Sequence, residues 1–351
     1  MKNRILSLLL LGIILVTGIS GCTKRSVDEN DIKDDKVVFQ YGSNIVTKAE
    51  VYVYINTIKE RYESQYGDEV WALALPDADS DEISMVDLTK QEVVEEIIKV
   101  KTLYAHADDF DITLTEKEKS DIEEKAKSFY DGLTDNEKLD MSLTNDKIIQ
   151  ILTENAIAKK VEDKILEDNP IEISDEQARM TTFYDMYFDC YDIAEDGSIV
   201  PYDKEKRSEQ YEKALAACST LATAVLDDDE EAESIEKLSE YYKLEHSKTQ
   251  TMAPEDILET YGEDIYNLLY SMKNGEYSTV VESEYGYHVF QMIALTDIDE
   301  TAARKAQMTQ NAIDDMLSDT ISKWQKEIDK DFTYPDSVNM DVYDTIELKS
   351  E

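Results

Sequence analysis

Histidine and cysteine are both rare in this chain, with three of each among 351 residues. The histidines, His106, His246 and His288, lie too far apart in the sequence to form a recognisable zinc motif. The sequence therefore predicts neither a bound metal ion nor a cofactor. With so few histidines, one that falls at the start of a predicted strand is a candidate functional group.

The cysteines do not support a disulfide-built fold. Cys22 lies in the N-terminal segment, which leaves Cys190 and Cys218 for the rest of the chain. A disulfide is permitted in an extracellular protein, but two cysteines in a body of this length are not a disulfide scaffold. The sequence leaves open whether Cys190 and Cys218 pair with each other.

Lysine and arginine are few compared with aspartate and glutamate. The chain has 36 lysines and arginines against 79 aspartates and glutamates, and its formal net charge is −43. A field of this sign repels nucleic acid and anionic lipid head groups, so nucleic-acid binding is excluded. It favours solubility and basic or unfolded partners. A solvated acidic surface with no binding role explains the same composition.

The N-terminus is typical of a secretory signal peptide. Lys2 and Arg4 precede an apolar run, residues 5–16, which is shorter than the ~20 residues of a comfortable membrane span. The run is followed by Ile19-Ser20-Gly21-Cys22, which resembles the lipobox of bacterial lipoproteins. An ordinary signal peptide with a chance cysteine, or an uncleaved signal anchor, would have the same apolar run.

The lipobox resemblance implies that residues 1–21 are removed and that Cys22 becomes an acylated first residue, carrying chains such as palmitate. Two acyl chains are enough for stable anchoring. We therefore expect an extracytoplasmic protein that is anchored to the bacterial cell membrane by its lipidated cysteine. Residues 22–36 are polar without an apolar period and are expected to form a flexible tether.

Residues 37–173 have the pattern of a helical domain. Capping boxes, in which a hydroxyl residue stands three positions before a glutamate, precede segments with apolar residues at helical spacing. A further helix stops before Pro170. The predicted helix starts are Thr47, Thr89, Thr115 and Asn145. One short strand, from Val37 to Tyr41, leads the domain.

Residues 174–296 change in pattern and are predicted to form a second domain. The expected order is strand, three helices and a strand hairpin. The strand is rich in aromatic residues and threonine, which favour sheets, and the third helix has a proline at its start. The predicted elements are a strand in 181–192, helices in 204–226, 235–242 and 255–272, and a hairpin that ends near Leu295.

The end of this second domain resembles the closing hairpin of the parvulin-type peptidyl-prolyl isomerases. Gly275 ends a helix, a short apolar strand follows, and a turn containing Gly286 leads into a strand opened by His288. Gly275, Glu276 and Ser278 match the family's Gly-Glu-x-Ser. The segment from Val37 to Gly67 is similar to the N-terminal domain of the SurA and PrsA foldases.

These resemblances imply an α+β, mostly helical fold, in which a parvulin-like antiparallel-sheet domain is inserted into a SurA/PrsA-like helical chaperone domain. Residues 297–351 would then form a C-terminal helix and tail that pack on the N-terminal domain. The tail, 332–348, alternates weakly and is expected to add a strand there.

The parvulin resemblance also implies a site. It assigns catalytic roles to His288 and Ser283, and it places the walls of an apolar proline pocket at Tyr261, Ile265 and Met252. Each has a structural alternative, because His288 is equally suited to a hydrogen bond across the hairpin, Ser283 to a turn, and Tyr261 and Ile265 to a core.

Half of the family's pattern is missing from this chain. The first strand, which usually carries a histidine in parvulins, contains Tyr184-Asp185-Met186-Tyr187-Phe188. The glycine-rich loop is replaced by residues 245–252. His246 lies in that segment, and the sequence leaves open whether it folds back towards His288.

Three functions are compatible with the sequence. The first is a membrane-anchored foldase that isomerises X-Pro bonds and chaperones exported proteins. The second is a holdase of the same architecture whose isomerase site has decayed. The third, a solute-binding lipoprotein, conflicts with the lack of alternating strands and helices. The expected partners are unfolded or newly exported polypeptides, and the sequence leaves open whether the protein forms a homodimer.

Overall fold

Two units make up the part of the chain that the structure, a computed structural model, describes. The described residues are 36–76, 82–227 and 234–348. Unit 1 combines the chain up to Pro170 with the chain from Ile313 onward, and unit 2 spans Ile171–Ala312. The predictions made for the signal peptide, for acylation of Cys22 and for the tether lie outside the described residues. No helix in the described ranges is long and apolar enough to cross a membrane.

Helices account for most of unit 1 and for just under half of the described part of unit 2. They are α1 (Lys48–Tyr66), α2 (Met85–Ala105), α3 (Glu116–Gly132), α4 (Asp135–Asp140), α5 (Asn145–Asp168), α6 (Lys204–Asp227), α7 (Ile235–Tyr242), α8 (Pro254–Ser271), α9 (Ile298–Asp329) and α10 (Met340–Tyr343). Gly262, with φ 78° and ψ 175°, breaks α8 into two helical pieces.

The strands are shorter and pair only with antiparallel neighbours. They are β1 (Val37–Tyr41), β2 (Asn44–Thr47), β3 (Ala74–Pro76), β4 (Glu82–Ser84), β5 (Thr181–Asp189), β6 (Tyr191–Ile193), β7 (Ile199–Pro201), β8 (Lys248–Met252), β9 (Val281–Ser283) and β10 (Gly286–Ala294). The predicted fold class, α+β and mostly helical, is confirmed, and the antiparallel-sheet unit interrupts the sequence of the helical one.

Capping chemistry accounts for some helix starts in unit 1 but not for that of α1, which begins after Thr47 without a hydrogen bond to the Thr47 side chain. Thr115 forms the predicted capping box, since its hydroxyl accepts from the Glu118 N–H and the Glu118 side chain accepts from the Thr115 N–H. The start predicted at Thr89 is wrong. That residue is fully buried inside α2, whose N-cap is Ser84, with its hydroxyl accepting from the Asp87 N–H. A capping pattern inside a longer helix has no free N–H groups to satisfy.

The C-terminal tail contacts the first hairpin of unit 1 without forming the expected strand. Val338 makes a single antiparallel bridge to Phe39, and α10 follows two residues later. Tyr343 is buried and donates its hydroxyl hydrogen to the Lys90 carbonyl oxygen at 2.7 Å. The hydrophobic side chains of this tail are thus placed by a helix and a turn.

Unit 2 is built on a four-stranded antiparallel sheet in the order β8-β5-β10-β9. Because side chains alternate along a strand, β5 and β10 each present apolar residues to both faces. On one face Met186, Phe188 and Val289 pack with α6 and α7. On the other, Phe183 and Phe290 pack with Ile257, Ile265 and Leu269 of α8.

The edge strand β8 and the two-stranded ribbon β6–β7 of unit 2 were not expected from the sequence. Residues 245–252 are predicted to be a loop, but Lys248–Met252 form β8, which pairs with β5 from Asp185↔Lys248 to Thr181↔Met252. The small ribbon β6–β7 also follows β5 directly. Threonines and lysines on β8 give no apolar alternation, so periodicity cannot detect this edge strand.

Candidate active site

His288 lies on the sheet face that is covered by α8. In β10, His288 and Phe290 point to this face, while Tyr287 and Val289 belong to the opposite core. The cross-strand partners of His288 and Phe290 on β5 are Tyr187 and Asp185. The alternation of two paired strands therefore brings an imidazole, a carboxylate and a phenol together beside an apolar core.

Asp185, His288 and Ser283 form a continuous hydrogen-bonded chain. Asp185 Oδ1 lies 2.8 Å from His288 Nδ1, and both side chains are more than nine-tenths buried. His288 Nε2 lies 3.0 Å from Ser283 Oγ. Because a carboxylate can only accept, the imidazole proton is placed on Nδ1, and Nε2 of a neutral ring is then the acceptor that faces the serine hydroxyl.

Tyr261 of α8 fixes the second oxygen of the carboxylate. Its hydroxyl donates to Asp185 Oδ2 at 2.9 Å, and it accepts a hydrogen bond from the Gln250 side-chain amide on β8. Burial and the neighbouring charge of Asp185 raise the pKa of Tyr261 well above the usual value for tyrosine. The phenol therefore stays protonated and keeps donating, which holds Asp185 in one orientation.

Tyr187 covers the imidazole from the side opposite the core. Its ring stacks on His288 with 4.4 Å between ring centroids and 17° between planes. The same ring lies against Gly286, where a Cβ would fall 2.6 Å from Tyr187 Cε2 and 2.3 Å from the Phe188 carbonyl oxygen. Only glycine fits this close approach of the hairpin to β5.

We expect Gly286→Ala to destabilise unit 2 and to weaken the site at the same time. The added methyl group meets a backbone oxygen, so β10 must shift, and overpacking of this kind costs roughly 1–3 kcal/mol. Urea unfolding measures the loss of stability, and NMR of the His288 ring measures the displaced imidazole. Gly132→Ala is the control for stability, since its Cβ meets nothing within 4 Å and its φ, like that of Gly286, lies outside the left-handed range. An alanine at 286 that changes neither reading would contradict the packing argument.

The residues predicted for the pocket lie around this cluster at different depths. Met252 of β8 and Tyr261 are half-buried and pack against the core that contains Phe290. Ile265 is inside that core and only 3% exposed. Of the predicted residues, His288, Ser283 and Tyr261 share the hydrogen-bonded cluster, whereas Met252 and Ile265 contribute apolar contacts.

His246 does not join His288. Its Nδ1 lies 2.8 Å from Asp189 Oδ2, and its side chain is half exposed and stacks on Tyr191. The two histidines of unit 2 are therefore each paired with a different aspartate of β5. The site has one imidazole at its centre.

Asp185 is the residue of this cluster that the sequence pattern did not indicate. It lies in the stretch 184–188, on the strand where the resemblance implies a histidine. A carboxylate on the inward face of an aromatic strand needs a buried donor. That requirement is the signal that would have paired it with His288.

The two cysteines of unit 2 are free thiols. Cys190 is buried and Cys218 is half-buried, and burial raises the pKa of both thiols. Within the described part of the chain, no group of three or more histidine, cysteine, aspartate and glutamate side chains is arranged to hold a metal ion.

Comparisons with known proteins agree on one group. No protein-family model matches the chain. It is 24% identical over 347 residues to the foldase protein PrsA of Clostridium perfringens strain ATCC 13124, covering 93% of this chain and 90% of the relative. It is 22% identical over 306 residues to PrsA of Caldanaerobacter subterraneus subsp. tengcongensis, covering 84% of each. The resemblance to PrsA-like foldases that the sequence predicts is thereby confirmed.

Solved structures of the same name are also similar, although more weakly. A peptidylprolyl isomerase (PrsA) from Bacillus cereus is 16% identical, covers 80% of this chain and all of its own, and superposes with a TM-score of 0.25. PrsA from Lactococcus lactis is 14% identical, covers 83% of this chain and 93% of its own, and has a TM-score of 0.26. The fold described above rests on the observed elements and not on these superpositions.

Proposed function

We propose that this protein is an extracytoplasmic foldase that accelerates cis-trans isomerisation of X-Pro bonds in exported polypeptides and also chaperones them. The observation that carries the proposal is the buried cluster of His288, Asp185, Ser283 and Tyr261 beside an apolar wall on an antiparallel sheet. The similarity to foldases over nine-tenths of the chain supports it.

Isomerisation needs a site that favours a twisted amide and no covalent chemistry. The barrier to rotation about a peptide bond is ~18–20 kcal/mol, and uncatalysed X-Pro isomerisation takes roughly tens to hundreds of seconds. Binding lowers this barrier when it is stronger for the twisted amide than for the planar one. An apolar surface that removes water, with a few fixed polar groups at its edge, meets that requirement.

The polar and apolar parts of the cluster divide these tasks. Met252 and the Tyr261 ring, which are half-buried, form the side on which we place the prolyl ring, and Ile265 and Phe290 pack behind them in the core. Ser283, at the exposed end of the hydrogen-bonded chain, is placed next to the rotating amide. Asp185 orients His288, and the contact of His288 Nε2 with Ser283 Oγ determines in which direction the serine hydroxyl points beside the amide.

The last part of the proposal concerns where the protein is located. The signal peptide and the acylated Cys22 inferred from the sequence would hold the mature chain on the outer side of the cytoplasmic membrane. Newly exported polypeptides emerge there unfolded. A net charge of −43 favours contact with basic segments of such clients. Intact mass spectrometry of membrane-extracted protein tests the acylation, and the absence of two or three acyl chains on Cys22 would overturn it.

NMR exchange spectroscopy on a short X-Pro peptide tests the activity directly. We expect the wild type to raise the isomerisation rate above background and His288→Ala to return it to background, because Ser283 loses its partner. His246→Ala, which removes a half-exposed histidine of the same unit, is expected to keep the wild-type rate. No rate enhancement by the wild-type protein ends the proposal of isomerase activity.

A holdase without isomerase activity is the second candidate, because Asp185 replaces the histidine of the family's first strand. It predicts that both the wild type and His288→Ala suppress aggregation of an unfolded client equally while neither accelerates isomerisation. The same aggregation assay, run beside the NMR measurement, separates the two functions.

A further inference from the structure

The order of the hydrogen-bonded groups in the site is also the order found in sites of nucleophilic catalysis. A hydroxyl faces an imidazole nitrogen, and the other nitrogen of that ring faces a buried carboxylate. We propose that Ser283 is a nucleophile activated by His288 and Asp185, and that the site cleaves small carboxylic esters by acyl transfer to water. Isomerisation does not use such a nucleophile, so this inference does not depend on the foldase proposal.

The distances meet the requirements of a serine nucleophile. Ser283 Oγ lies 3.0 Å from His288 Nε2, and His288 Nδ1 lies 2.8 Å from Asp185 Oδ1, both within hydrogen-bond reach. Such a constellation occurs on unrelated folds and is identified by geometry and roles, not by position in the sequence. Here all three residues come from one sheet, which makes the arrangement rigid.

The Asp185 carboxylate has a second hydrogen-bond partner besides His288. Tyr261 donates to its second oxygen, so Oδ1 remains directed at the imidazole. When Nε2 takes a proton from the serine, the imidazolium is stabilised by a buried negative charge, which strengthens the interaction. Asp185 is thus a positioning residue for His288.

Ser283 is the partly exposed end of the hydrogen-bonded chain, since His288 and Asp185 are buried. Ser283 is half-buried at the end of β9, beside the turn formed by Glu284 and Tyr285. Its hydroxyl has two acceptors in reach, His288 Nε2 at 3.0 Å and the Gly286 carbonyl oxygen at 3.2 Å. Rotation about one bond switches it between them. Arg207 holds the turn through the Glu284 carbonyl oxygen at 3.2 Å and Glu282 at 2.9 Å.

The reaction balances without any added oxidant, reductant or cofactor. Ser283 Oγ attacks the ester carbonyl carbon while its proton passes to His288 Nε2. The carbon–oxygen bond to the alcohol breaks, and His288 returns the proton to the leaving alkoxide. Water then attacks the acyl-serine with the same proton transfers, which releases the carboxylic acid and restores Ser283. Esters suit the site because their leaving group needs one proton and His288 supplies one.

A fluorophosphonate probe on the full-length protein tests the proposal. The probe forms a covalent bond with a serine oxygen only when that oxygen is activated. We expect one adduct on the peptide that contains Ser283, with no adduct in Ser283→Ala. Ser271→Ala, which removes an exposed serine of α8 in the same unit, is expected to label as the wild type does. Peptide mapping by mass spectrometry locates the adduct.

Two further readings separate activation from simple exposure. Asp185→Asn is expected to slow labelling by roughly 10⁴-fold, the size of effect seen when such a carboxylate is neutralised. Asp185→Glu, which keeps a carboxylate beside the imidazole, is expected to label faster than Asp185→Asn. An unlabelled wild type, or equal labelling of the wild type and Asp185→Asn, overturns the proposal. Neither result bears on the NMR measurement of isomerisation.

Discussion

Replacing Lys101 by methionine is expected to destabilise unit 1 by about 3–5 kcal/mol, the usual cost of removing one partner from a buried ion pair. Lys101 Nζ lies 2.7 Å from Glu50 Oε1 and 2.5 Å from Glu154 Oε2. The three side chains are at least nine-tenths buried. Methionine keeps the length of the side chain but leaves Glu154 in the core without its cation, and it leaves Glu50 with the 3.6 Å contact to Lys147 Nζ.

The charge of Lys101 is secured by its surroundings. Burial by itself lowers the pKa of the amine, but Glu50 and Glu154 outweigh burial and raise it above the usual lysine value. A raised folded-state pKa means that the stabilisation is fully present below the unfolded-state pKa of about 10.4 and is lost as pH rises through the folded-state value. At neutral pH the ion cluster therefore contributes in full.

Tryptophan fluorescence in urea measures this effect on unit 1 alone. The chain has two tryptophans, Trp71 and Trp324, and both belong to unit 1. Lys127→Met is the matched control, because its pair with Asp131 is exposed and such pairs are worth about 0–1 kcal/mol. A deficit of Lys101→Met below about 1 kcal/mol, the value of an exposed pair, contradicts the account.

Local patterns predicted the helices of this protein better than its sheets. The capping box at Thr115 and the proline at the start of α8 act within one helical turn, so the sequence shows both partners of each interaction. The helix predicted for 204–226 is observed as Lys204–Asp227. The strand β8 was missed because its pairing with β5 joins residues far apart in sequence and its own side chains show no alternation.

The candidate site illustrates the same limit. His288 and Ser283 are five residues apart on one hairpin, so a local motif indicates both. Asp185 lies 103 residues before His288, and only the pairing of β5 with β10 brings it there. Tyr261 was expected as an apolar wall, and its hydroxyl contact with Asp185 depends on how α8 packs over the sheet. Distant partners of a buried charge require the tertiary structure.

Replacing Asp185 by leucine is expected to cost unit 2 roughly 2–5 kcal/mol. The change leaves two buried donors, the His288 Nδ1–H and the Tyr261 hydroxyl, without an acceptor, and each such group costs about 1–3 kcal/mol. Tyr261→Phe removes only one of these donors and should cost less. Glu212→Leu, at an exposed position of α6, is the control and should stay within about 0.5 kcal/mol of the wild type.

Circular dichroism in urea detects this change when it is compared with tryptophan fluorescence. Because both tryptophans lie in unit 1, a shift seen by circular dichroism but not by fluorescence belongs to unit 2. If Asp185→Leu leaves both transitions in place, the buried hydrogen bonds of the site contribute nothing to the fold. In that case the cluster is held by the apolar core and not by its polar contacts.

Measurements at alkaline pH isolate the contribution of Tyr261 to the stability of unit 2. Burial and Asp185 raise its folded-state pKa, so the folded protein keeps the phenol proton after an unfolded chain has lost it near pH 10. Stability from this group is therefore complete below about pH 10 and falls by about 1.4 kcal/mol per pH unit above it. Tyr261→Phe lacks this loss, so between pH 10 and 11 unit 2 of the variant should lose less stability than the wild type. Parallel losses in the two proteins would show that the phenol does not depend on Asp185, and the orientation of His288 would then need another source.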